Sequence, residues 1–222
     1  MADDKKQKAK EVAAENGVLN PGGAVVLAAA PMYLALIPLT YVIRHISSDR
    51  FELIYFRSYL TNADSTVQKL GETLINLIPG VASSSMTSGR AIPALSAIYL
   101  FWTFGASGAA SAAGQAMARE EGLDNNHPRK HTNNLNGLPL RLRSAHYALM
   151  ENFPAFALAA ALAQIIAPAD VQVANLLTYH VIAKLLVHYP AYLANLALPR
   201  TLAHISATSA LINVCWRLAA GS

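Results

Sequence analysis

Long stretches without charge constrain this chain more than any other feature. Gly23 to Ile43 contains no Asp, Glu, Lys or Arg, and about twenty residues rising ~1.5 Å each cross the hydrocarbon of a bilayer. Four more apolar stretches follow at 93–118, 144–167, 171–198 and 202–218, parted by a polar loop at 119–141 and short turns at Pro168-Ala169-Asp170 and Pro199-Arg200. The expected architecture is all-α and integral to a membrane. Charged residues make up 14% of the chain and hydrophobic ones 54%, whereas a soluble domain carries about a quarter of its residues as charges. One cysteine, Cys215, excludes a disulfide framework and a cysteine-held metal cluster. The net charge of +4 is too small and too scattered for a nucleic-acid surface.

The chain divides into four regions. Residues 1–22 form a polar N-terminal tail in which Asp3 and Asp4 precede a Lys/Ala/Glu stretch closed by Asn16-Gly17, the pattern of a short solvated helix with a glycine stop. With no apolar core, it is neither a secretory signal nor a transit peptide. Residues 23–43 are an extra transmembrane helix. Residues 44–92 connect, with Phe51, Tyr55, Phe56 and Tyr59 beside Arg50 and Arg57 as an interfacial aromatic segment, and Val67, Leu70, Leu74 and Leu77 at helical spacing against membrane or partner. Residues 93–218 supply a four-helix transmembrane domain. Its first helix carries Gly105/Ala109 and Ala110/Gly114, small pairs that let helices approach closely. Threading the spans puts the N-terminus, the 119–141 loop and Arg200 on one side, which holds the excess of basic residues and so faces the cytosol or matrix. The expected location is the mitochondrial inner membrane or the endoplasmic reticulum.

Ionisable groups inside a membrane are expensive, so two helices hold most of the functional information. Arg143, His146, Tyr147 and Glu151 fall at i, i+3, i+4 and i+8, one stripe at about 100° per residue. His180, Lys184, His188 and Tyr192, spaced by four, form a second. The stripes are expected to face each other or a subunit interface, with Glu151 buried against Arg143, Lys184 or an arginine of a neighbouring chain; the bland alternative is that they only fix helix register. No metal is expected, because His180 and His188 are two turns apart and neither has a carboxylate four residues away. A hydrolytic triad lacks its nucleophile elbow. A cationic pocket closed by Arg200 instead suits an anionic hydrophilic ligand beside a lipophilic one dissolved in the bilayer.

The stretch GLDNNHPRKHTNNLNGLPLRLRSAHYALMENFPAF (122–156) resembles the loop and second helix of the MAPEG proteins (membrane-associated proteins in eicosanoid and glutathione metabolism), where the pattern R-A-x-x-A-H-x-N-x-x-E-x-x-P recurs. Arg141, Ala145, His146, Glu151 and Pro154 stand at its positions, and HYPAYLANLALPRT (188–201) looks like the family's H-x-x-x-Y followed by Arg. The resemblance covers roughly 93–218. It implies a four-helix bundle, usually a homotrimer, that binds glutathione as its cofactor at subunit interfaces and transfers it to, or uses it to reduce, lipophilic electrophiles. By position it implies Arg200 as the catalytic residue that stabilises the thiolate, a guanidinium beside a thiol lowering its pKa. The glutathione-binding residues would be Arg141, His146, Glu151, His188 and Tyr192, with Glu151 on the amino group. The chain departs from the family where Ala148 stands for the Asn, Tyr147 for an Arg often found before it, and His204 for a Tyr found in some members.

These residues support two readings. One is a glutathione-dependent transferase or peroxidase of lipophilic electrophiles. The other is a non-catalytic accessory subunit of a larger membrane complex, toward which Ala148 and the added residues 1–92 tip the sequence, since a lost buried hydrogen-bond partner costs ~1–3 kcal/mol.

Overall fold

A computed structural model describes residues 2–31, 66–77 and 89–221. All elements among them are helical: α1 (Ala2–Glu15), a 3-10 segment (Pro21–Ala29), α2 (Thr66–Asn76), α3 (Ala91–Met117), a 3-10 turn (Thr132–Asn134), α4 (Gly137–Ile166), α5 (171–193) and α6 (Ala197–Ala220). Of the described helices, α3 and α4 are long and apolar enough to cross a membrane. Leu158, Ile165, Ile212 and Trp216 face outward, an apolar exterior that water would not tolerate on this scale.

The core runs between α3, α4, α5 and α6. Tyr99 is fully buried at its centre, packed edge-on to Phe156 and His180 and stacked on Phe153. Both α3 and α5 widen into π-helical turns, at Phe101–Ala106 and Ala183–His188. A π turn leaves carbonyls that side chains can claim and often marks a functional site.

Helix boundaries differ from the sequence reading in two places. The helix expected over 171–198, α5, does not run to Leu198: it stops at Leu193, where Asn195 takes a left-handed φ of 58° and the Leu196 N–H donates to the Ala191 carbonyl. This is the six-to-one closure of a helix end, and Asn tolerates its αL residue. Pro199-Arg200 is therefore not a turn; it lies in the first turn of α6, where proline's missing N–H costs nothing. The helix expected over 144–167 also starts earlier, at Gly137, so Arg141 and Arg143 sit on α4 itself.

Residues 23–31 of the expected extra span begin as a 3-10 segment rather than an α-helix, and 32–43 lie outside the described residues, as does the Phe51–Tyr59 aromatic segment. The 3-10 segment lies along the C-terminal half of α3. Gly23 is buried there, and a Cβ on it would come within 2.6 Å of the Ala116–Met117 backbone. The small-residue face of α3 thus serves the chain's own packing, with Gly114 taking Leu142 of α4. In the connecting region, α2 docks on the bundle itself. Its buried side is Gly71 and Ile75, not the Leu70/Leu77 edge, which is exposed; Gly71 admits Thr178 of α5.

The polar tail is tied down at its hinge. Gly17, at φ 77°, closes α1 with hydrogen bonds from Gly17 N–H to the Ala14 carbonyl and Val18 N–H to the Ala13 carbonyl. Beyond it, Leu138 N–H donates to the Asn16 carbonyl at 2.8 Å, and the Leu19 and Asn20 N–H groups both donate to the Met117 carbonyl at 2.8 Å. Gly137, at φ 54°, lies against the Asn16 backbone with no room for a Cβ. Gly137→Ala should therefore cost about 1–3 kcal/mol locally and release residues 1–20 to limited proteolysis with α3–α6 intact. Unchanged cleavage would show that the clasp does not hold the tail.

In the 119–136 loop, Asp124 organises a turn. Its Oδ1 accepts the N–H groups of His127 at 3.0 Å and Asn126 at 3.1 Å, and its Oδ2 lies 3.7 Å from His127 Nδ1 and 3.6 Å from His131 Nε2. The His127 N–H chiefly holds the carboxyl below its ordinary value, helped by the His127 charge, the Asn126 N–H and Arg119. A depressed carboxylate stabilises the turn above the unfolded value and loses that contribution as pH falls through the lower folded one. Exchange protection of the Asn126 and His127 amides should accordingly fall only in strongly acid solution. Asp124→Asn should remove that pH dependence; protection that follows pH in the variant as well would exclude Asp124 as its origin.

Candidate functional site

Four of the six residues singled out in the sequence meet at one corner of the bundle, where α4 begins, α5 ends and α6 begins. Arg141 Nε donates to the Leu193 carbonyl at 2.9 Å, joining the first turns of α4 to the end of α5. Across the α5–α6 turn, the Arg200 guanidinium lies over the Tyr192 ring, 4.6 Å from its centroid. The His188 ring stands edge-on to Tyr192 at 5.7 Å, and its Nδ1–H donates to the Arg200 carbonyl at 3.1 Å. Neither arginine forms an ion pair with a carboxylate among the described residues. His188, Tyr192 and Arg200 therefore touch one another, and Arg141 is tied to the backbone one residue beyond Tyr192.

His146 is not at this corner. It turns the other way, into the π segment of α3, where its Nδ1 lies 2.9 Å from Ser107 Oγ and 3.1 Å from the Thr103 carbonyl. Ser107 Oγ itself donates to that carbonyl at 2.7 Å, so the Nδ1–H tautomer fits both contacts. His146 pins α4 to α3 and meets the bland expectation for a polar residue inside a bundle.

Glu151 is also placed differently from expectation. It is exposed on α4 and forms no ion pair with a described residue, although His204 of α6 lies within reach of its charge. The first stripe splits because, at about 100° per residue, His146 and Glu151 lie about 140° apart around the helix: Arg143 lies over Tyr147 at 4.8 Å, His146 faces α3, and Glu151 is exposed. The neighbouring Asn152 turns inward, donating to the Ala148 carbonyl at 3.0 Å and accepting from Thr208 of α6 at 3.3 Å. It does not replace the amide missing at Ala148.

The second stripe faces α6 rather than the first. The widened turn at 183–188 keeps residues spaced by four near one face. His180 Nδ1–H donates to the Ala207 carbonyl at 2.9 Å, Lys184 Nζ lies 2.9 Å from His204 Nδ1, and His188 reaches Arg200. His180 and Lys184 are fully buried, and the Nε2 atoms of His180 and His188 are buried without a partner. Sequence spacing found three members of this ladder and missed the fourth, His204, whose signal was its place one turn beyond Arg200.

What this corner can do follows from its charge. It can hold an anionic polar group against Arg141 and Arg200, with aromatic faces beside it and lipid outside. No cluster of His, Cys, Asp and Glu able to hold a metal occurs among the described residues.

The sequence pattern of the MAPEG family matches residues 92–220, from the first turn of α3 to the end of α6. No curated protein and no solved structure matches the chain. The matched region is more than half of the 222 residues and takes in α3–α6, two of them apolar enough to span, so this chain is a membrane protein that belongs to the MAPEG family.

Proposed function

We propose that the protein is a glutathione-dependent membrane transferase or peroxidase acting on lipophilic electrophiles. The observation that carries this reading is the contact of His188, Tyr192 and Arg200 with one another, beside Arg141 on the Leu193 carbonyl, neither guanidinium forming an ion pair among the described residues. Arg141 and Arg200 suit the carboxylates of a small acidic peptide, which guanidiniums bind in fork geometry. Glu151, exposed on α4, suits an amino group held between this chain and a neighbour. Glutathione supplies a thiol; Arg200 favours its anionic form, and Tyr192 keeps the guanidinium in place by stacking.

A second reading, the accessory subunit, is favoured by a different observation. The 3-10 segment covers part of α3, a face that a bundle without residues 1–31 leaves open to a second copy. Ala148 points the same way.

Purified protein should shift in thermal stability with millimolar glutathione and conjugate a generic aryl halide, sulfur bonding to the ring carbon as halide leaves with its electron pair. It should run as a homo-oligomer, a trimer containing three chains of 23.7 kDa. No shift, no conjugation and a native particle holding other subunits would instead support the accessory role.

A further inference from the structure

Lys184 is the feature that neither the packing nor the proposed glutathione contacts account for. It is fully buried, lies between two histidines on α5, and has no carboxylate within ion-pair distance among the described residues. Its side-chain partner is His204, with Nζ 2.9 Å from Nδ1. A lone buried cation is one of the costliest groups a bundle can retain.

With Lys184 carried as an ammonium, which has three donors and no lone pair, Nδ1 of His204 accepts and the ring proton sits on Nε2. His204 is half-buried, and its Nε2 is not among the buried unpartnered atoms. The ring lies one turn beyond Arg200 on α6, and successive turns of a helix share a face. Its ring centroid is 5.6 Å from that of His188. His188 holds the opposite tautomer: its Nδ1–H is committed to the Arg200 carbonyl, leaving Nε2 a lone-pair acceptor.

We propose that His204 is a contact residue of the thiol site, donating from Nε2–H to the sulfur anion beside Arg200, and that Lys184 is the positioning residue that holds His204 in that tautomer. The proposal rests on the glutathione reading and deepens it by naming a second donor. No bond to His204 breaks: the thiol proton leaves to solvent at the mouth of the site, sulfur keeps the electron pair, and His204 supplies a hydrogen bond. The other charged or titratable groups around His204 are His180 and His188 of α5, Glu151 of α4 and Arg200 on its own helix. None of these contacts Nδ1, so Lys184 alone sets the tautomer.

The test measures the ultraviolet thiolate band of glutathione bound to the full-length protein, together with thermal stability. Lys184→Met should reduce the bound thiolate fraction about tenfold to a hundredfold, the worth of one charge-assisted hydrogen bond. Its melting temperature should stay level or rise, because a buried unpaired charge has gone. His204→Phe should lose the thiolate by the same factor. His204→Gln, whose amide presents N–H without help from a cation, should retain most of the band and make it insensitive to adding Lys184→Met.

An unchanged band in Lys184→Met or in His204→Phe would overturn the proposal, and so would an equal loss from Lys184→Met in the His204→Gln background, since Lys184 would then act through its charge alone. Wild-type protein that binds no glutathione would overturn the proposal together with the reading beneath it; binding with a thiolate band indifferent to both residues would overturn the proposal alone.

Discussion

Arg200→Ala should lower kcat/KM for an aryl halide by about a hundredfold to a thousandfold, the range observed when one preorganised electrostatic donor to a developing anion is removed. Most of the loss should fall on kcat. The side chain is held over Tyr192 at 4.6 Å, so its charge is placed before the thiol arrives and favours the anion more than the neutral group. Arg200→Lys should recover part of the rate, because an ammonium keeps the charge but neither stacks nor forks as a guanidinium does. Steady-state kinetics on the two variants checks this directly. A rise in KM with kcat unchanged would make Arg200 a binding residue and move thiolate stabilisation elsewhere in the site.

The largest stability effect should come from Phe156→Ala, at about 3 kcal/mol. Phe156 is buried between Tyr99 at 4.8 Å and His180 at 5.4 Å. In lipid the apolar transfer term between helices is weak, so the loss is of packing contacts around a cavity. Tyr99 and His180 would both lose a face, and each already carries a buried polar atom without a partner. Leu158→Ala, two residues along the same helix but 60% exposed, should change stability by less than about 0.5 kcal/mol. Thermal unfolding of the two variants in detergent distinguishes core from lipid face. Equal losses would mean that the outer face of α4 is packed in the assembled protein.

Much of this molecule can be read from its residues. Long apolar runs located α3 to α6, because a bilayer demands length and low charge whatever the packing. Asn16-Gly17 gave the end of α1 for a local reason, the αL freedom of glycine. The α5–α6 turn was misplaced because Pro199 is the louder stop signal, yet Asn195, a residue tolerant of αL, had already ended the helix. The early start of α4 was hidden by Arg141 and Arg143, which look like loop residues but sit on a helix with their charged ends at its margin.

The site was legible in part. Motif positions on α5 and α6 came together because a short turn forces helix ends to be neighbours. Of those on α4, Arg141 reached the end of α5, whereas His146 turned to α3 and Glu151 stayed exposed. Spacing assigns residues to one helix; it does not say which neighbour each will meet. The π turns, which realign α5 and free the Thr103 carbonyl for His146, have no clear mark in the sequence.

Equilibrium binding of glutathione to the purified protein in lipid nanodiscs bears most directly on the account. Saturable binding at millimolar or tighter affinity is expected, about 4 kcal/mol or more, weakened by Glu151→Gln and by Arg141→Ala and unaffected by His146→Phe. No saturable binding up to about 10 mM, where a ligand with Kd near 1 mM would be almost fully bound, would contradict a glutathione site at this corner.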